Sequence, residues 1–128
     1  MQKSLKDKVV LITGASSGFG ADFGRRFAPQ GAIVILAARR MDRLTALAEE
    51  IRLAGGQAFA VGLDVTEQSQ IDEAVHNVLE TFGRVDILIN NAGVGQLDWL
   101  EMLDPATGID TPIDVNLRAV IQLTRALL

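Results

Sequence analysis

A chain of 128 residues suits one domain with a real core, and an apolar fraction of 48% excludes a disordered segment. The net charge of −4, with acids and arginines interspersed, excludes the basic stripe that nucleic acid requires. With no cysteine there are no disulfides, no thiolate nucleophile and no cysteine zinc site, and no other metal-ligating constellation is evident. Met1 to Lys8 is polar, unlike a signal peptide, and the longest apolar run, Ala32 to Ala38, is too short to span a bilayer. A soluble cytoplasmic protein is the expectation.

Apolar runs alternate with helix-period segments along the chain. Lys8–Ile12 reads as a first strand, followed by a helix over Gly18–Ala28 with Phe19, Phe23 and Phe27 on one face, ended by Pro29 and Gly31. Ala32–Ala38 reads as a second strand. Asp42–Ala54 is a second helix, with Leu44, Leu47, Ala48 and Ile51 on its apolar side and Gly55-Gly56 as its stop. Gln57–Leu63 is a third strand. Glu67–Phe82 is the clearest helix, with Ile71, Ala74, Val75, Val78, Leu79 and Phe82 at 3.6-residue spacing and Gly83 closing it. Val85–Ile89 is a fourth strand. The first, second and fourth are nearly continuous in apolar residues, as strands covered on both faces should be. Alternating β and α elements require right-handed crossovers, hence a Rossmann-type, doubly wound parallel α/β sheet.

A loop is expected from Asn90 to about Asp110. A helix then starts with Thr111 as cap and Pro112 at the first helical position, continuing through Ala119, Val120, Leu123, Thr124 and Leu127. Leu128 falls in mid-pattern without a cap, so residues 1–128 are expected to be the front half of a longer protein. The fourth strand would then be an apolar edge and the last helix would lack part of its cover. An isolated chain is expected to dimerise or aggregate unless a complementing segment is present. His76 falls on or near the polar side of the third helix and reads as a surface residue. Trp99 and Met102, within Val94–Leu103, fit either a pocket wall or a core anchor.

The first strand runs into Thr13-Gly14-Ala15-Ser16-Ser17-Gly18-Phe19-Gly20, which opens the first helix. Such a turn points backbone N–H groups and a helix N-terminus at one place, where phosphate is favoured. Ser16 and Ser17 add hydroxyls that can donate to phosphate oxygens or cap the helix. The plainer alternative is a tight connection whose glycines only serve φ > 0 or close packing.

This turn resembles the TGxxxGxG turn of the short-chain dehydrogenase/reductase family. Asn90-Asn91-Ala92-Gly93 matches that family's NNAG motif, Asp64-Val65 its Asp-Val pair after strand three, and Asn116 its helix asparagine. The resemblance implies that Gly14, Gly18 and Gly20 let the backbone approach a pyrophosphate, with Phe19 part of the same turn. It implies that Asp64 accepts from the adenine amino group, that Val65 flanks that ring, and that Asn90, Ala92 and Gly93 line the ribose and nicotinamide side. Asn116 would hold a backbone carbonyl or a water in a proton relay. The structural alternatives are a strand end with Asp64 or Thr66 capping the next helix, ordinary loop chemistry for the asparagines, and Asn116 turned to solvent.

NAD enzymes of this architecture carry an acid at the end of strand two to bind the ribose hydroxyls. Here Ala38 stands in that place and Arg39-Arg40 follow, a pair suited to a 2′-phosphate. The expected cofactor is NADP(H) rather than NAD(H); the alternative is two solvated loop charges. The resemblance also implies a catalytic serine, tyrosine and lysine, but this chain has no tyrosine and its lysines, Lys3, Lys6 and Lys8, all precede the first strand. The leading reading is the cofactor-binding half of an NADP(H)-preferring oxidoreductase acting on a carbonyl/alcohol pair. The resemblance implies a homo-oligomer through the Thr111–Leu128 helix. The alternative is a non-catalytic nucleotide-binding or interaction module on the same half-fold. A methyltransferase-like domain fits worse, since it would want an acid near the end of strand two.

Overall fold

The computed structural model describes residues 4–95 and 97–128. Among these, strands β1 (Val9–Thr13), β2 (Ile33–Ala38), β3 (Gln57–Gly62) and β4 (Ile87–Ile89) form one sheet in the order β3-β2-β1-β4. All three pairings are parallel, with Val10 opposite both Val34 and Ile87. Helices α1 (Gly18–Phe27), α2 (Met41–Leu53) and α3 (Gln68–Phe82) make the crossovers. The Rossmann-type expectation holds, with boundaries shifted by up to two residues.

The two-residue period of a strand divides the core. From β1 and β2, Val10, Ile12, Val34 and Leu36 face Ala21, Leu44, Leu47 and Ile51 of α1 and α2. Their neighbours Val9, Leu11, Ile35 and Ala37 face Ile71, Val75 and Val78 of α3 and Leu123 of the last helix. Burying side chains of this size contributes about 1.5–3 kcal/mol each. β1 and β2 are central and buried, as expected. β4 packs Ile87 and Ile89 on one cluster and Leu88 on the other, but it is only half-buried because it is an edge that pairs with β1 alone among the described residues, as expected.

The start of the sheet is held by a polar clamp. Asp86 accepts the Val9 N–H at 2.8 Å and pairs with Arg84 at 2.9 Å, while Arg84 also donates to the Asp7 carbonyl. Asp7 has φ 61°, so the chain reverses there before entering β1.

The last third departs most from expectation. Helical structure begins not at Thr111 but at Pro105, with Asp104 as N-cap accepting the Thr107 N–H at 2.9 Å. Asp followed by Pro at the first helical position is the stronger start signal. Pro105–Asp110 is π-helical, α4 (Thr111–Ile113) is a single α-turn, Asp114–Arg118 is π-helical again, and α5 (Ala119–Leu127) completes the rod. Thr111 is not an N-cap but the C-cap of Pro105–Asp110, and its hydroxyl donates to the Ala106 carbonyl. Leu100–Met102 forms a 3₁₀ turn, and Trp99 is 76% exposed, which excludes the core-anchor reading within this chain. His76 is a surface residue, 3.2 Å from Glu80. Among the described residues no helix is long and apolar enough to cross a membrane.

Candidate functional site

The carboxyl ends of parallel strands deliver their loops to one edge of the sheet, where α/β folds place ligands. Here that edge holds a cavity of about 620 Å³. Its lining brings together Gly14, Ser16, Ser17 and Phe19 after β1, Arg39 and Arg40 after β2, Asp64 and Val65 after β3, and Ala92 and Gly93 after β4. Ten sequence-predicted residues from four separate loops thus meet in one space. Gly18, Gly20, Asn90 and Asn116 do not line it.

Thr13 organises the meeting of the β1 and β4 loops. Its hydroxyl, 2% exposed, accepts the N–H groups of Asn91 and Ala92 at 3.1 and 3.0 Å and lies 3.4 Å from the Ile89 carbonyl as donor. Asn91 returns the contact by donating its side-chain amide to the Gly14 carbonyl at 3.2 Å. Neither residue was singled out by sequence, although both sit inside quoted motifs. Both N–H groups are part-buried, so leaving them without that hydroxyl would cost at most about 1–3 kcal/mol each.

The glycines divide the work. Gly14 has φ +62°, and a Cβ there would stand 2.8 Å from the Ala92 backbone, so it permits close approach of the two loops. A side chain at Gly20 would collide with the Gly14 carbonyl and the Asn91 amide, so this glycine serves packing. Gly18 has φ +56° but open space beside it, the arrangement expected of a backbone a ligand can approach. Ser17 occupies the N-cap of α1 without a side-chain capping bond, which leaves its hydroxyl for another partner. Phe19 does not join the apolar face of α1: Phe23 and Phe27 stack at 5.8 Å, whereas Phe19 is 77% exposed at the cavity.

Asp64 neither caps α3 nor faces solvent idly. The N-cap is Glu67, and Asp64 Oδ1 accepts the Thr66 hydroxyl at 2.7 Å and the Thr66 N–H at 3.0 Å. These bonds, the hydroxyl first, together with the charge of Arg39, hold the Asp64 carboxyl below its ordinary range despite partial burial. It is an anionic acceptor at neutral pH. Arg39 and Arg40 take part in none of the ion pairs among the described residues.

Asn90 points away from the cavity, its amide 3.2 Å from the Thr124 hydroxyl on α5. Asn116 is exposed, yet its side chain is tied to the chain. It accepts the Val94 N–H at 2.9 Å and donates to the Val94 carbonyl at 2.6 Å, pinning the β4 loop to the π-helical segment. Arg43, Thr111, Asp114 and Val115 also line the cavity and were missed, because neither spacing nor motif marks them.

The donor set suits a dinucleotide: an open glycine-rich turn with free hydroxyls, guanidinium groups, an anionic acceptor and a valine for a ring face. Comparison with known proteins agrees with that geometry. The chain is 40% identical to an A-factor type gamma-butyrolactone 1′-reductase (1S-forming) from Streptomyces virginiae, over 97% of this chain and 48% of that protein. It is 41% identical to a metagenomic short-chain oxidoreductase solved in complex with NADP, with TM-score 0.92, covering 97% of this chain and 56% of the other. A 3-ketoacyl-(acyl-carrier-protein) reductase from Brucella melitensis, solved with NADH, matches at 42% identity and TM-score 0.89, over 98% of this chain and 50% of that one. The chain therefore spans about half the length of these proteins. The family model described as short chain dehydrogenase matches residues 8–128, and the chain belongs to that family.

Proposed function

We propose that this chain is the dinucleotide-binding half of an NADP(H)-preferring oxidoreductase, a single Rossmann-type unit continued by further sequence. One observation carries the reading. Arg39 and Arg40, which take part in no ion pair among the described residues, line the same cavity as the glycine-rich turn, and Ala38 stands where an NAD enzyme needs a carboxylate. The two similar structures were solved with NADP and NADH respectively, so family membership leaves the choice open, and these side chains favour NADP(H). Gly14, Gly18 and the Ser16 and Ser17 hydroxyls would hold the pyrophosphate, Arg39 and Arg40 the 2′-phosphate, Asp64 and Val65 the adenine. Ala92 and Gly93, with Asn90 behind them, would bound the ribose and nicotinamide side. Bound there, the nicotinamide would supply reversible hydride transfer with a small carbonyl/alcohol substrate.

The protein's own part in the chemistry is positional. Asn116, clamped on Val94, fixes the loop beside Gly93, and this is its contribution to a relay. The chain contains no tyrosine, so the group that moves a proton at the substrate oxygen would come from outside it. That same lack favours the second reading, a module that binds nucleotide without turnover. Self-association through residues 111–128 is part of the proposal, since Ile113, Leu117 and Ile121 repeat every four residues on an exposed face.

Titration of wild type and Arg39→Ala with NADPH and NADH tests the cofactor assignment. The expected outcome is tighter NADPH binding by wild type, with the advantage lost by about tenfold or more in the variant, as one charge-assisted contact predicts. An unchanged preference in Arg39→Ala would refute it. Binding without turnover, in the presence of carbonyl substrates, is expected of this chain under both readings; turnover appearing only when a tyrosine-bearing continuation is joined would favour the enzyme.

A further inference from the structure

β3 stands at one end of the sheet, and among the described residues no strand pairs with its outer edge. The Leu63 N–H donates to the Ala38 carbonyl of β2. Because backbone groups point to alternate edges residue by residue, those of Ala58, Ala60 and Gly62 face outward, away from β2. Such an edge invites another strand, and natural edges are commonly guarded by a charge or a proline within the strand itself. Gln57–Gly62 contains neither. It is an uncharged, largely apolar run of the kind that adds strand to strand.

A charge reaches this edge from elsewhere. Arg52 lies in the last turn of α2, whose apolar side packs on the same sheet face as Ala58. Its Nε donates to the Ala58 carbonyl at 2.8 Å, so one outward acceptor is taken. Its guanidinium carbon also stands 5.3 Å from the centre of the Phe59 ring, within cation–π range. Phe59 belongs to the other face: its register partner Ile35 packs with α3, and its ring meets Phe82 of α3 at 5.0 Å. One side chain therefore passes from the α2 face round the free edge to the α3 face, with Glu49 4.0 Å from its Nη1. Arg52 is not on the cavity lining.

We propose that Arg52 closes the outer edge of β3 to strand addition by a second copy of this chain. A second copy is the partner such a run fits, since it brings the same uncharged segment. Arg52 occupies the Ala58 carbonyl and holds a charge where the incoming strand would lie, the protection that the strand's own residues lack.

Titration of the full chain with a fluorescein-labelled peptide of residues 57–62, set between neutral serine pairs and followed by anisotropy, tests this. Arg52→Met keeps an apolar stem but removes the donor and the charge, and it should bind the peptide at least about tenfold more tightly than wild type. Amide NMR shifts in the variant should centre on Ala58, Ala60 and Gly62. Arg52→Gln removes the same charge and gives the same reading if Arg52→Met does not melt cooperatively. A cooperatively melting variant that binds the peptide no better than wild type would overturn the proposal. So would equal binding by both chains with shifts at Ile87–Ile89, the opposite edge of the sheet.

Discussion

At the scale of single residues, hydrogen-bonded oxygens set the geometry on which the site depends. Thr13 splices the turn after β1 to the loop after β4 through one hydroxyl that serves two amides. Sequence makes the Gly14 and Ala92 loops visible as motifs, but a threonine closing a strand looks like any β-branched strand residue, so its role emerges only when the loops are seen side by side. Asp86 plays the matching part at the opposite end of β1. Its carboxyl is held below the ordinary value of 3.8, first by the Val9 N–H and then by Arg84. A carboxyl lowered on folding stabilises the protein above its unfolded value, and that contribution is lost as pH falls through the folded value. Acid unfolding should therefore set in below about pH 4. Asp86→Asn should lower stability at neutral pH and make the acid decline shallower, without abolishing it, because Asp64 and Asp104 are shifted in the same direction. Denaturant melts from pH 7 to 2 read this directly; an acid slope identical to wild type would contradict the assignment.

At the scale of elements, periodicity and punctuation made most of the fold legible. Alternating faces of β1 and β2, the four-residue spacing in α2 and α3, and the glycines after each helix all correspond to observed structure. The failures have physical causes. Phe19 shares the spacing of Phe23 and Phe27, but the turn before α1 leaves it at the cavity rather than in the core. Residues 105–118 break the 3.6-residue period with two π-helical stretches, so a pattern search locks onto the regular part after Thr111 and overlooks the Asp104-Pro105 start. Arg43 escaped notice because an arginine in an amphipathic helix usually faces solvent, and only the assembled fold shows it on the cavity lining. The exposed face of Ile113, Leu117 and Ile121 carries the oligomer proposal. Sedimentation should show wild type in species larger than one chain and Leu117→Glu shifted toward the monomer with nucleotide binding retained. A monomeric wild type would remove that part of the proposal.

At the scale of the whole molecule, the strand order β3-β2-β1-β4 explains why widely separated motifs act together. Each connecting loop leaves the same edge of the sheet, so residues near positions 14, 39, 64 and 92 become neighbours although about 25 residues of chain separate each from the next. The sequence pattern foretold that convergence, since a parallel sheet with one crossover per helix has only one edge for its β-to-α loops. It could not foretell the shape of the cavity, or that Asn90 would turn to α5 while Asn91 faces it, because adjacent loop asparagines are equivalent until packing separates them.

Amide-resolved NMR titration of the chain with NADPH tests the central claim most directly. The account predicts saturable shifts concentrated at Gly14 to Gly20, Arg39 to Arg43, Asp64 to Thr66 and Ala92 to Val94, with α3 and the Gln57 end of β3 unmoved. Saturable shifts confined to other surfaces, or none at ligand concentrations that load other dinucleotide-binding folds, would contradict it.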